Sequence, residues 1–219
     1  MEETVEVKRH SLFYRVCHWS IVLTGIILAL TGMQMGGLYG IKVLDGQVLA
    51  THITVSFVFG ALWFLMLYYI IVHEWKWFSL TRIPYAIKFF ANETKAWFGG
   101  PHVEDPRGYD PEKKEYVEKI IPTEVMVWWI YFLLALFMGI TGLSMYYQDF
   151  FAPVINFADS IAPSFGAESG LALLRALHRL GMYLFAMVVM MHAYAVIIFG
   201  VLTSMITGKR MEKVKKIAE

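Results

Sequence analysis

Charged side chains are missing from four long intervals of this chain. No Asp, Glu, Lys or Arg occurs between Arg15 and Lys42, between Asp45 and Glu74, between Glu124 and Asp149, or between Arg179 and Lys209. Each interval has room for about 20 apolar residues, the length of a helix that crosses the hydrocarbon core of a bilayer. The pattern predicts four spanning helices at about residues 16–36, 50–72, 125–147 and 176–203. The first is expected to be a retained helix rather than a cleaved signal. Lys8, Arg9, His10 and Arg15 precede an apolar run much longer than a signal core, and no small-residue cleavage pattern follows. The fold class is therefore an all-α integral membrane protein, a four-transmembrane-helix bundle read as a single domain over residues 1–219.

Composition agrees with that setting. Hydrophobic residues make up 58% of the chain and mean hydropathy is +0.53, where about half the residues of a soluble domain are apolar. The distribution of Lys and Arg supplies an orientation. Lys8, Arg9 and Arg15 precede the first helix, eight cations lie between the second and third, and Lys209, Arg210, Lys213, Lys215 and Lys216 follow the fourth. On the other side of the bundle only Lys42 and Arg175 occur. The positive-inside rule then puts the N and C termini and the loop at about 73–123 in the cytoplasm of a multi-pass inner-membrane protein. A net charge of +1 gives no reason to expect nucleic acid.

That loop reads as two parts. From Ile83 to Phe98, Tyr85, Ile87, Phe89, Phe90, Trp97 and Phe98 mix with Arg82, Lys88 and Lys95, the composition of a helix lying on the inner surface. From Gly99 to Lys119, Pro101, Pro106, Gly108 and Pro111 interrupt a run of mixed charge, which predicts a solvated loop.

Histidine carries the candidate chemistry. His18, His52, His178 and His192 sit inside or at the edges of the apolar stretches, and an ionisable group buried in lipid without a partner costs several kcal/mol. His178 and His192 are fourteen residues apart. At about 100° per residue they return to within about 40° of one face, about 21 Å apart along the fourth helix. That leaves room for two stacked cofactors. Alternating helix direction pairs His52 with His178 at the outer side and His18 with His192 at the inner side, as axial ligands of two haem irons. His18 and His192 both fall about 27 Å from the outer side, yet several turns of the fourth helix are expected to follow His192, so that helix should protrude inward or tilt.

Two imidazoles per iron leave no open coordination position, which favours electron transfer over oxygen chemistry. The one cysteine, Cys17, precedes His18 and no CxxCH attachment pattern occurs, so the haem is expected to be non-covalent haem b. Met33, Met35, Met182 and Met191 are conceivable ligands, although methionine in an apolar bundle is usually filler. Gly25, Gly32, Gly139, Gly142 and Gly181 would let a flat macrocycle approach a helix, or serve plain helix packing. Arg9 and Arg15 near the inner pair, and Arg175 and Arg179 near the outer pair, are candidates to bind haem propionates, a role that competes with snorkelling at the membrane edge. His10 and His102 are expected in water, and His73 at the inner end of the second helix. Trp19, Trp75, Trp77, Trp128 and Trp129 suit the aromatic belts.

Certain runs of residues resemble a known family. Arg15-Val-Cys-His18-Trp19 followed by Leu30-Thr31-Gly32 is similar to the opening of the di-haem cytochrome b subunits of membrane-bound nickel–iron hydrogenases and formate dehydrogenases. The second half resembles the hydrogenase branch, through Ile140-Thr141-Gly142-Leu143, Leu177-His178-Arg179-Leu180-Gly181-Met182, Met191-His192-Ala193-Tyr194 and Ser204-Met205-Ile206-Thr207-Gly208-Lys209-Arg210. The resemblance covers all four helices and is weakest in the second, where His52 stands nearly alone.

The resemblance implies a membrane anchor with two haem b groups. It would accept electrons from the iron–sulfur small subunit of an outward-facing hydrogenase, whose large subunit is catalytic, and deliver them to a menaquinone-like quinone near the inner haem. It implies a quinone site at the His192 edge, with Glu124 a possible proton carrier, although a carboxylate at a helix start also complements the helix dipole. Three alternatives remain open: the cytochrome b subunit of a formate dehydrogenase, a free-standing cytochrome b561-type quinone oxidoreductase, and a haem-free tether.

Overall fold

The computed structural model describes residues 3–96 and 98–217. Strand β1 (Thr4–Lys8) is followed by helices α1 (Leu12–Met35) and α2 (Val48–Tyr69). A single π turn (Ile70–Glu74), helix α3 (Trp75–Phe78), a 3₁₀ turn (Leu80–Arg82) and helix α4 (Ile83–Ala96) come next. Strands β2 (Gly108–Asp110) and β3 (Glu115–Glu118) lead to α5 (Thr123–Tyr146), α6 (Ala152–Ile161), α7 (Gly170–Ile198), α8 (Leu202–Thr207) and β4 (Lys209–Lys213). Four segments are long and apolar enough to cross a membrane: Leu12–Met35, Val48–Ala96, Thr123–Tyr146 and Gly170–Ile198. Large apolar side chains such as Leu23, Leu133 and Met190 are exposed on them, the surface a bilayer covers.

The helix bounds differ from expectation for local reasons. Helix α1 starts at Leu12 rather than 16 because Ser11 Oγ accepts the Tyr14 amide at 3.1 Å, an N-cap. Helix α7 starts at Gly170, with Ser169 Oγ accepting the Ala172 amide at 3.2 Å. Arg15 in α1 and Arg175 in α7 hid these first turns from a hydropathy reading. Helix α7 stops at Ile198 instead of continuing to 203. Gly200 takes φ +61, its amide bonds to Ile197 and that of Val201 to Val196, a Schellman ending. Fewer than two turns therefore follow His192, and a break takes the place of the expected long inward extension. Gly37 (φ +63) ends α1 in the same way, with amide bonds from Gly37 to Gln34 and from Leu38 to Met33.

The chain divides into two compact units, and each spanning helix has a portion in both. The first unit gathers the described residues within Met1–Trp19, Phe64–Ile130 and Ala193–Glu219. Here β1 pairs antiparallel with β4, from Thr4 opposite Lys213 to Lys8 opposite Lys209. Strands β2 and β3 form a bulged hairpin, joined to the segment after β4 by a bridge between Tyr109 and Val214. Two ion pairs are buried: Arg9 with Glu212 at 2.6 Å, and Lys119 with Glu74 of the π turn. Arg82 bonds Glu118 at 2.6 Å.

The expectation of a solvated loop from Gly99 to Lys119 is corrected here. Arg107, Asp110 and Lys119 are all buried. Arg107 pairs with Asp105, and Asp110 accepts the amides of Glu112, Lys113 and Ile217. The Ile217 partner lies 107 residues away, out of reach of a composition argument. A helix is present there as α4, with Phe98 beyond its end and 90% exposed; Trp97 lies outside the described residues. His10 is also corrected, being half-buried and stacked on Tyr14 with ring centres 5.0 Å apart. His102 is exposed and bonds Glu93 at 2.8 Å.

The second unit comprises Ser20–Trp63 and Tyr131–His192. Helix α6, absent from the sequence reading, and the 3₁₀ turn after it (Ala162–Phe165) pack Ala158 and Ala162 against Leu173 and Leu174 of α7. Asp159 Oδ1 accepts the amide of Gly170, locking α6 to the start of α7.

Candidate functional site

Two of the four histidines meet in the second unit. His52 lies in the second turn of α2 and His178 in the third turn of α7. Their ring centres are 6.4 Å apart and the planes are inclined by 70°. A metal bonded to two imidazoles at about 2.0–2.1 Å, with about 1 Å more from each nitrogen to its ring centre, separates the centres by about 6 Å. The spacing suits one iron held between the two rings. Among the described residues no three His, Cys, Asp or Glu side chains cluster as an ion site, and the two imidazoles are the donors that the structure brings together here.

Each ring is gripped by a buried threonine from another helix. Thr31 Oγ1 of α1 lies 2.8 Å from His52 Nδ1, and Thr141 Oγ1 of α5 lies 2.9 Å from His178 Nδ1. The glycine after each threonine makes room for the ring. A Cβ at Gly32 would sit 3.4 Å from His52 Cε1, and one at Gly142 would sit 3.0 Å from His178 Cε1. These threonines were not among the candidate site residues. The signal was present, since Thr31-Gly32 and Thr141-Gly142 are the same dipeptide in two spanning helices.

The five small positions expected to admit a macrocycle divide by use. Gly32 and Gly142 face the rings, Gly25 faces Phe59 at 3.5 Å, and Gly181 packs tightly on Met138 and Phe137. Only Gly139 of the five meets nothing within 4 Å of a built Cβ. The two imidazoles, with ring centres at the separation that two metal-bound rings take, fit haem b.

The other expected site residues are placed as follows. His18, on α1 in the first unit, is half-buried and edge-on to Trp19 at 5.3 Å. His192, on α7 in the second unit, is half-buried and edge-on to Tyr131 at 5.8 Å. The Arg15 guanidinium donates to the Ile206 carbonyl at the end of α8, while Arg179 is exposed on α7. Glu124 accepts the Ile121 amide at 3.2 Å, the helix-start role weighed against proton carriage.

Residues 9–211 match the family described as prokaryotic cytochrome b561. The chain belongs to that family. Among curated proteins, none matches it. As a prokaryotic cytochrome b561 with four apolar helices it is a multi-pass inner-membrane protein, binds haem b and transfers electrons. The family match spans α1 to α8 and so includes all four intramembrane histidines.

Proposed function

We propose that this chain is the di-haem membrane subunit of a nickel–iron hydrogenase, carrying electrons from an outer iron–sulfur subunit to the quinone pool. The observation that carries the electron-transfer part is the His52–His178 pair, 6.4 Å apart with each Nδ1 against a threonine oxygen. Haem b supplies a one-electron iron centre in such a site. His52 and His178 would hold it from both sides, leaving no position for oxygen or substrate. Thr31 and Thr141 hold the rings. Charge crossing the membrane works with or against about 2.3 kcal/mol per 100 mV, so quinone reduction that draws protons from the side of the N and C termini would be electrogenic.

The hydrogenase partnership rests on the wording of the fourth helix, and the second haem on the fourteen-residue spacing of His178 and His192 together with the helix direction that pairs His192 with His18. The family description equally favours a free-standing quinone oxidoreductase. Reduced-minus-oxidised spectra of native membranes separate the readings. A cytochrome b band raised by hydrogen supports the hydrogenase anchor, one raised only by formate moves the chain to formate dehydrogenase, and one raised only by quinol, from a chain that purifies alone, establishes the free-standing form. His178→Ala should lose one haem by pyridine haemochrome count, and His18→Ala or His192→Ala the other. Full haem content in all three variants overturns the ligand set.

A further inference from the structure

We infer that Thr31 and Thr141 are paired positioning residues that fix the tautomer of His52 and His178 in advance, so that Nε2 of each ring is presented to the haem iron. The inference rests on the reading of these histidines as ligands and adds what prepares them. A threonine hydroxyl has one proton to donate and oxygen lone pairs to accept. Thr31 Oγ1 donates to the Ile27 carbonyl at 2.7 Å, with Leu28 O at 3.2 Å. Thr141 Oγ1 donates to the Phe137 carbonyl at 2.8 Å, with Met138 O at 3.3 Å. Each hydroxyl proton is thus spent on the preceding turn of its own helix, the back-bonding that threonine makes within helices.

What remains for the imidazole is an acceptor. At 2.8 and 2.9 Å the ring nitrogen facing each oxygen must be the one that carries hydrogen, so Nδ1–H donates to threonine. A neutral imidazole has one N–H, and its other nitrogen is then a bare lone pair. The opposite tautomer would leave a lone pair facing a lone pair, or pull the hydroxyl from its carbonyl. Both threonines are buried, 2% and 3% exposed, so water does not offer a substitute, and at His178 the Met138 carbonyl is a further backbone acceptor that favours the same tautomer. Ligand imidazoles are commonly held this way through the nitrogen remote from the metal. Here the holder is a neutral hydroxyl backed by a helix carbonyl, used twice, and each grip comes from a helix that carries no ligand to the same pair.

The test compares haem retention and redox potential in Thr31→Val, Thr141→Val and the corresponding serine variants. Transfer of haem to excess apomyoglobin reads retention, and optical redox titration reads potential. Loss of an outer-shell partner typically costs about 10- to 100-fold in affinity, so each valine variant should release one haem about 10- to 100-fold faster. Its potential should move in the positive direction, since a ring without its acceptor donates less charge to iron. Serine, which keeps the hydroxyl, should restore both. If a valine variant does not accumulate, Thr→Ala at the same position gives the same readouts without an added methyl. Wild-type release and potential in the valine or alanine variants overturn the inference, as does serine behaving like valine. His178→Ala retaining full haem content would instead overturn the ligand reading beneath it.

Discussion

A histidine ring in this protein is held by what cannot move. Gly142 shows how little space is spare: a Cβ there lies 3.0 Å from His178 Cε1, against 3.4 Å for Gly32 and His52. Overpacking of a filled site costs about 1–3 kcal/mol. Gly142→Ala should therefore lower haem per protein more than Gly32→Ala, measured by pyridine haemochrome; equal haem in both variants would show that the rings can give way. At this scale the sequence pointed to the two imidazoles that the structure brings together and said little about their support. His52 and His178 were legible because an imidazole in an uncharged stretch needs a partner. Thr31 and Thr141 were not singled out, because threonine is neutral and unremarkable inside a spanning helix until its hydroxyl is seen against a ring.

Among the elements, the spans were readable because hydropathy is a sum over many residues, whereas their ends turn on single hydrogen bonds. Ser11 and Ser169 extend α1 and α7 backwards, and Gly200 stops α7 early. Strands β1 and β4 were invisible for another reason: each is short, charged and paired with a segment at the other end of the chain. Their pairing encloses Arg9 and Glu212, whose side chains are 2% and 3% exposed. Burial opposes charge on Arg9, yet Glu124 and Glu212 hold its pKa above the ordinary value. Removing one member of a buried pair costs about 3–5 kcal/mol. Arg210 also reaches Glu212, at 3.3 Å, so Glu212→Ala strands two cations while Arg9→Ala leaves one pair intact. Apparent melting in detergent should fall further for Glu212→Ala, and the reverse order would rule out this account. Gly170→Ala should also melt early, since its Cβ would meet the backbone of Ile155 and Asp159 at 2.6 Å.

For the molecule as a whole, pH should act on the first unit. Burial and then Arg9 push the pKa of His10 down to about 2. Asp105 stays below the ordinary carboxylate value, as hydrogen bonds and charge from Arg107 outweigh burial. Asp110 is lowered by the amides of Ile217 and Lys113. All three have folded pKa values below their unfolded ones, so the unfolded chain binds more protons as pH falls. The stability they confer is complete above about pH 6.5 for His10 and above about pH 4 for the aspartates, and it drains as pH drops through those values toward the folded pKa. Hydrogen exchange should find the amides of β2, β3 and β4 protected at pH 7, weaker at pH 5 and weakest at pH 3. Protection unchanged at pH 3 would remove these groups from the stability of the unit.

The β1–β4 ladder also orders events in time. Synthesis runs from β1 toward β4, so the first strand leaves the ribosome long before the strand it pairs with, and every spanning helix is made in between. Until then Arg9 has no Glu212 and stays hydrated. The ladder can close only in a chain whose intervening helices have been threaded an even number of times, which returns both strands to one side of the bilayer. A chain with one helix left out would display an unpaired strand and an arginine without its carboxylate.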